Sequence, residues 1–133
     1  LHVLAELAEI CSSYEVQCIG YDRWSIEDLK SQMESEGTSL PPLEGFGQGY
    51  KDMAPALDEF ERRLLNNQLR HMNNPVFTWC AANAVVDTDP AGNRKIAKHK
   101  ATGRVDGIVA AVMATGRSME KVEQPTTDIF LVI

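Results

Sequence analysis

Long apolar runs, paired cysteines and an excess of positive charge are all missing from this 133-residue chain. No run approaches the roughly 18 apolar residues of a membrane span, which excludes a transmembrane protein. The cysteines, Cys11, Cys18 and Cys80, are odd in number and form no Cys-x-x-Cys pair, so neither a disulfide framework nor a zinc ribbon is expected. With 44% hydrophobic and 24% charged residues, the composition is typical of one globular domain.

Sequence patterns for nucleotide binding and for nucleophilic catalysis are missing too. Gly47-Gln48-Gly49 lacks the Gly-x-x-x-x-Gly-Lys pattern and follows no clear strand, which argues against a phosphate loop. His2, His71 and His99 are scattered, and they form neither a metal pair nor part of a Ser/His/Asp set. Nucleoside triphosphate hydrolysis and acyl transfer therefore have no support in the sequence.

The chain begins at Leu1, with neither a methionine nor a charged-then-apolar leader. We therefore expect a fragment of something longer rather than a secreted precursor. The recognisable strands are few, and a sheet of one or two strands makes a poor core. This pattern again predicts that strands are missing upstream.

Apolar periodicity predicts helices alternating with a few strands, which is an α/β or α+β arrangement. Helices are expected over 1–12, from Ile26, from about Asp52, from Asn74-Pro75 and from Asp106, with strands at Val16–Gly20 and near Leu43 and a hairpin of 84–88 with 93–97. The helix from Asp52 would hold Pro55 in its first turn and bury Leu57, Phe60 and Leu64. The run after Asp106 is apolar on all sides, which indicates a helix at the domain centre.

Two aspartates stand out by position. Asp22 lies just past the predicted buried strand, and Asp106 begins the buried helix. Hard divalent cations prefer carboxylate oxygens, and a helix N-terminus stabilises a nearby negative charge. The ordinary alternatives are that Asp106 is an N-cap and that Asp22 caps a turn, since such caps are common.

Charge is unevenly distributed along the chain. Residues 1–66 carry 13 acids and 5 bases (−8), whereas residues 67–133 carry 6 acids and 8 bases (+2). The second part contains a basic cluster, free of acids, that consists of Arg94, Lys95, Lys98, His99, Lys100 and Arg104. Such a cluster can bind a polyanion, and the alternative is a solvated loop with scattered lysines.

Five blocks in series resemble the large terminase subunit of tailed double-stranded DNA phages. They are Tyr21-Asp22-Arg23-Trp24, Gly47-Gln48-Gly49, Asn74-Pro75-Val76 with Trp79 and Asn83, Asp89-Pro90-Ala91-Gly92-Asn93-Arg94-Lys95, and Arg104-Val105-Asp106-Gly107 followed by Val109-Ala110 and Met113-Ala114. Their order and spacing agree with the C-terminal part of that protein. The resemblance assigns residues 1–117 to its nuclease domain and residues 118–133 to a C-terminal tail.

The resemblance implies an α/β, RNase H-like nuclease fold, truncated at its N-terminal strands. In the family this domain follows a packaging ATPase and cuts concatemeric DNA with divalent metal. By motif, Asp22 and Asp106 match the second and third acids of the metal-binding cluster, and the first has no counterpart here. The implied cofactor is Mg²⁺ or Mn²⁺, at a two-metal site in the complete domain, and we expect Asp22 and Asp106 to approach each other in space.

The resemblance also favours DNA contact for the basic cluster, because residues 84–97 match a hairpin thought to approach DNA in the family. The implied partners are double-stranded DNA and, for the full-length protein, the small terminase subunit and the portal protein. The implied location is the host cytoplasm of a bacterium, with no membrane partner. A sheet edge left open by missing strands would favour self-association, or filling by Ile129–Ile133.

Two other functions stay open. The chain could be a DNA- or partner-binding fragment, inert because its site is incomplete. It could also be another RNase H-like DNA enzyme, such as a transposase or resolvase. The Gly-Gln-Gly and Asn-Pro-Val…Trp blocks argue against this last possibility.

Overall fold

The computed structural model describes residues 2–24 and 26–120. In chain order its elements are α1 (His2–Ser13), β1 (Ile19–Asp22), α2 (Ile26–Glu36), β2 (Leu43–Phe46), α3 (Tyr50–Leu65), α4 (Pro75–Asn83), β3 (Val86–Thr88), β4 (Arg94–Ile96), a short 3₁₀ helix (Lys98–Lys100) and α5 (Asp106–Met119). None of the described helices combines the length and the apolar character that crossing a bilayer requires.

Helix α5 forms the centre of the core, as its apolar sequence predicts. Ile108, Val109, Val112 and Met113 are buried, and they join residues of α3 and β4 in one hydrophobic cluster. Val112 has no exposed surface at all. The predicted domain boundary after residue 117 falls inside α5, and Ile129–Ile133 lie outside the described residues.

Gly116 lets α5 approach the rest of the core closely. A Cβ atom at this position would lie 2.7 Å from the Phe46 ring and 2.9 Å from Cβ of Ala56. These distances are too short for any side chain, because protein interiors are already packed to crystal-like density. Helix α5 therefore contacts β2 and α3 at a point where its own backbone forms the packing surface.

Two small sheets flank this core. β1 pairs in parallel with β2, from Ile19 opposite Leu43 to Asp22 opposite Phe46. β3 and β4 pair antiparallel, and their turn contains Gly92 at φ +86°, so the predicted hairpin is confirmed. The predicted strand Val16–Gly20 is displaced, because pairing with β2 begins only at Ile19.

Helix α3 begins earlier than its sequence suggests. Gly49 is the N-cap, so Asp52 lies inside the first turn and Pro55 in the second, where the proline ring is exposed. The earlier start also changes the buried face, which consists of Met53, Ala54, Ala56, Leu57 and Phe60. The prediction that Leu64 is buried is wrong, since this side chain is half-exposed.

Candidate active site and nucleic-acid interface

Asp106 is the first residue of α5. Val105 precedes it at the N-cap position and offers no side-chain cap, so the alternative that Asp106 is itself the N-cap does not hold. The residue is exposed and lies in the first turn, where unpaired backbone N–H groups favour a negative charge. Its carboxylate is therefore held at the end of the most buried helix and faces accessible space.

Helix α4 supports the start of α5. Asn74 caps α4, because its side-chain oxygen accepts hydrogen bonds from the backbone N–H of Val76 and of Phe77. At the other end, Asn83 Nδ2 donates to the carbonyl of Arg104 at 3.1 Å. The Asn74-Pro75 prediction is confirmed, and the Asn83 bond holds the loop that leads into Asp106.

Asp22 is the last residue of β1 and is half-buried. Contacts of the neighbouring strand, β2, give the direction of β1. Phe46 of β2 packs on Gly116 of α5. Gln48, two residues later, donates a hydrogen bond to Sδ of Met113 at 3.2 Å. The chain thus runs toward the N-terminal end of α5 as β2 ends, and β1 is parallel to β2. Asp22 therefore lies at the end of the sheet that faces the Asp106 end of α5.

A third acid lies at this end of the sheet, where the sequence indicated only a helix cap. The Asp52 carboxylate lies so close to Gly47 that a Cβ atom at residue 47 would overlap it. Gly47 directly follows Phe46, the register partner of Asp22. Even so, within residues 2–24 and 26–120 no three His, Cys, Asp or Glu side chains are grouped closely enough to hold a metal ion.

The basic cluster is partly neutralised by its own fold. Arg94 donates to both Asp58 and Glu61 of α3, and these carboxylates raise the pKa of its guanidinium. Lys95 lies over the Tyr50 ring, with Nζ 4.6 Å from the centroid. Arg94 and Lys95 thus attach the hairpin to α3.

Asp87 of β3 binds the other end of the cluster. Its carboxylate accepts a hydrogen bond from Lys100 Nζ at 2.6 Å, and His99 Nε2 is 4.0 Å away. The bond to Lys100 lowers the pKa of Asp87. Two exposed bases of the cluster, Lys98 and Arg104, have no acidic partner among the described residues.

Comparison with known proteins finds a family whose model matches most of this chain. The family model "Terminase large subunit, endonuclease domain" matches residues 2–122. The large terminase subunit of Enterobacteria phage HK97 is 46% identical over 126 residues, which cover 95% of this chain and 25% of that protein. Protein YmfN of Escherichia coli K12 is 29% identical over 118 residues, which cover 73% of this chain and 26% of YmfN.

A solved structure agrees with these sequence matches. The crystal structure of the HK97 bacteriophage large terminase superposes with a TM-score of 0.80 at 48% identity and covers 87% of this chain and 24% of that one. The predicted α/β, RNase H-like nuclease fold is thereby confirmed. The chain spans about a quarter of the length of the relatives it matches.

Proposed function

The chain belongs to the terminase large subunit family and matches its endonuclease domain, and from this premise we propose that it hydrolyses phosphodiester bonds of double-stranded DNA during genome packaging. The proposal rests on one observation about where a strand ends and where a helix begins. The end of β1 with Asp22 and the start of α5 with Asp106 face the same side of the domain. Both carboxylates are at least partly accessible, as a bulky substrate requires.

The donor set fits a hard divalent cation. Asp22 and Asp106 offer carboxylate oxygens, the ligands that Mg²⁺ and Mn²⁺ prefer, with water and substrate phosphate completing the shell. When bound, two such ions would supply an activated water and charge stabilisation at the leaving oxygen. The protein's part is to hold both carboxylates in place, Asp106 by the α4–α5 packing and Asp22 by the β1–β2 pairing.

The basic cluster is proposed to track the DNA backbone. Lys98 and Arg104 have the least internal compensation and are the first candidates for phosphate contacts, with Lys95, His99 and Lys100 beside them. Arg94 belongs to the same proposed surface, and its two acidic partners on α3 also make it the anchor of the hairpin. Such contacts are independent of base sequence and sensitive to salt.

The wider setting is proposed from the same membership. In a full-length terminase the domain would follow the packaging ATPase and work with the small terminase subunit and the portal protein, in the cytoplasm of a bacterial host. The source would be a phage or a prophage.

Plasmid nicking in the presence of Mn²⁺ tests the proposed reaction. The full 133-residue chain should cut only weakly, because the first acid of the family's cluster has no counterpart here, and chelation should stop the cutting. Asp22→Asn and Asp106→Asn should each lower the rate at least about 100-fold, since even groups that only support metal ligands are worth roughly 10- to 100-fold. Asp28→Asn, on exposed α2, is the matched control and should cut normally. Normal cutting by both site variants would refute the assignment.

A second candidate function is a DNA-binding domain without catalysis. It is favoured by the lack of a three-acid cluster in the described part of the chain. Duplex binding without any Mn²⁺-dependent nicking would select it over the nuclease.

Salt dependence tests the basic surface separately from cutting. Replacing Lys95, Lys98 and Lys100 by alanine should weaken duplex binding at every sequence. It should also reduce the slope of log K against log [salt] by about 0.9 for each phosphate that the variant no longer neutralises. Lys30→Ala is the control, because Lys30 is paired with Glu27 on α2. An unchanged slope in the triple variant would exclude this surface.

A further inference from the structure

Both tryptophans of this chain are on its surface. Trp24 and Trp79 are the two tryptophans in the sequence, and their exposed fractions are 84% and 50%. Tryptophan is among the most buried side chains on average, because its large apolar area stabilises a core or an interface. Two exposed indoles in a small domain therefore need an explanation outside the core.

Trp24 stands directly beside the first candidate acid. It is two residues from Asp22, so their Cα atoms are at most about 7.6 Å apart. Arg23, between them, extends across β2, because its Nε is 3.5 Å from where a Cβ of Gly45 would be. Arg23 is exposed and has no acidic partner within the described residues.

Trp79 lies against the loop that leads to the second candidate acid, Asp106. Its indole packs on the loop before α5, with Cζ2 3.1 Å from where a Cβ of Gly103 would be. The next residue, Arg104, is the exposed and unpaired base described above, and Asp106 follows two positions later. Each candidate acid thus has an exposed indole and an uncompensated arginine close by.

Resting on the proposed nuclease function, we propose that Trp24 and Trp79 stack on unpaired bases, so that the site binds DNA whose strands are separated at the cut. Aromatic side chains stack on bases of any sequence, and neighbouring arginines neutralise the phosphates between them. A base-paired duplex hides the faces of its bases inside the helix, so stacking requires unpaired nucleotides. The free arginines favour a nucleic acid over a protein partner, which would need acids opposite them.

Tryptophan fluorescence tests the proposal without any cutting. In EDTA, a single-stranded dT oligonucleotide should quench emission of the full chain. Trp24→Phe leaves Trp79 as the sole tryptophan, and Trp79→Phe leaves Trp24, so excitation selective for tryptophan reports each position alone. Quenching in both variants is expected, and a blunt duplex of equal length should quench much less.

Affinity for the dT oligonucleotide gives an independent readout. Trp24→Ala and Trp79→Ala should each weaken binding about 5- to 100-fold, which is the usual loss when one base–aromatic stacking contact is removed. The corresponding Phe variants should recover most of the loss, since phenylalanine still stacks. Leu65→Ala, an exposed apolar residue at the end of α3, should change nothing. Circular dichroism of each variant shows that it has folded.

These experiments distinguish a failure of the stacking proposal from a failure of the nuclease proposal. If the duplex binds and is nicked with Mn²⁺ while dT neither quenches nor discriminates the alanine variants, the stacking proposal is overturned and a protein contact takes its place. If dT quenches both indoles but no nicking occurs, stacking is supported and the nuclease proposal fails.

Discussion

On one side of the molecule, buried residues of β2, α3, β4 and α5 form one hydrophobic cluster. The part formed by α1 and α2 is different, because α1 buries Leu4 and α2 buries no residue completely. A cavity of about 320 Å³ lies between this second part and the face of α5 that carries Ala110, Met113, Ala114 and Arg117. β1 borders the same cavity.

This difference bears on the candidate site. Asp106 is attached to the closed part, whereas Asp22 ends a strand that borders the cavity. The relation between the two carboxylates therefore depends on how firmly the looser part is held. A rigid scaffold on one side alone does not fix a site built from both.

A methionine-to-alanine substitution in each part should show the difference in packing most strongly. Met53→Ala, in α3, should reduce the free energy of unfolding by about 2–5 kcal/mol, because Met53 is buried in the cluster and leaves a void. Met33→Ala, in α2, should cost under about 1 kcal/mol, because Met33 is only half-buried. Urea denaturation measures both, and equal losses would remove the contrast.

Two glycines of α5 sharpen the comparison within one helix. Gly116→Ala should destabilise by about 1–3 kcal/mol, since the overlap with Phe46 and Ala56 outweighs the helix propensity gained. Gly107→Ala meets its nearest atom, Sγ of Cys80, at 3.4 Å and should be neutral or stabilising by up to about 1 kcal/mol. Thermal unfolding should separate the two variants clearly, and similar melting temperatures would contradict the packing described.

Filling the cavity should tighten the looser part. Ala114→Leu adds apolar volume from α5 into the cavity and should stabilise by about 0.5–2 kcal/mol. Amide exchange in β1 should slow more than exchange in α4, which is remote from the cavity lining. A destabilised variant would mean that the space is already closed by movement of its walls.

The smallest effect concerns pH. Hydrogen bonds from Arg62 and then Arg63 lower the pKa of Glu59 to about 2. This depressed pKa means that the ion pairs contribute fully above the ordinary value of 4.5 and are lost as pH falls from 4.5 toward 2. Glu59→Gln should cost under about 1 kcal/mol at neutral pH and nothing once the pH is below the depressed pKa. If the stability difference between the wild-type chain and Glu59→Gln grew toward low pH, the prediction would be contradicted.

The sequence could predict the features that depend on residues close together in the chain. The Asn74-Pro75 start of α4 and the glycine-containing turn of the hairpin depend on a few adjacent residues, and both are confirmed. The central place of α5 was also predictable, because a helix that is apolar on all sides can be stable only when surrounded.

Long-range contacts are what it could not predict. The start of β1 is set by Leu43 of β2, and Arg94 is bound by Asp58 and Glu61, more than thirty positions earlier. Counting charges along the chain therefore made the basic cluster look freer than the structure leaves it. Whether Asp22 and Asp106 come within reach of shared metal ions stays a prediction.

The place of α5 in the chain has a consequence for biosynthesis. Helix α5 supplies the centre of the core, yet it is the last described element to be translated. At about 5–20 residues per second, the ribosome needs roughly 6–24 s to pass from α1 to the end of α5. Until α5 has emerged, α3 and the hairpin can contact each other through Arg94 and Lys95 but lack the helix around which the core closes, so their apolar faces stay exposed on the nascent chain.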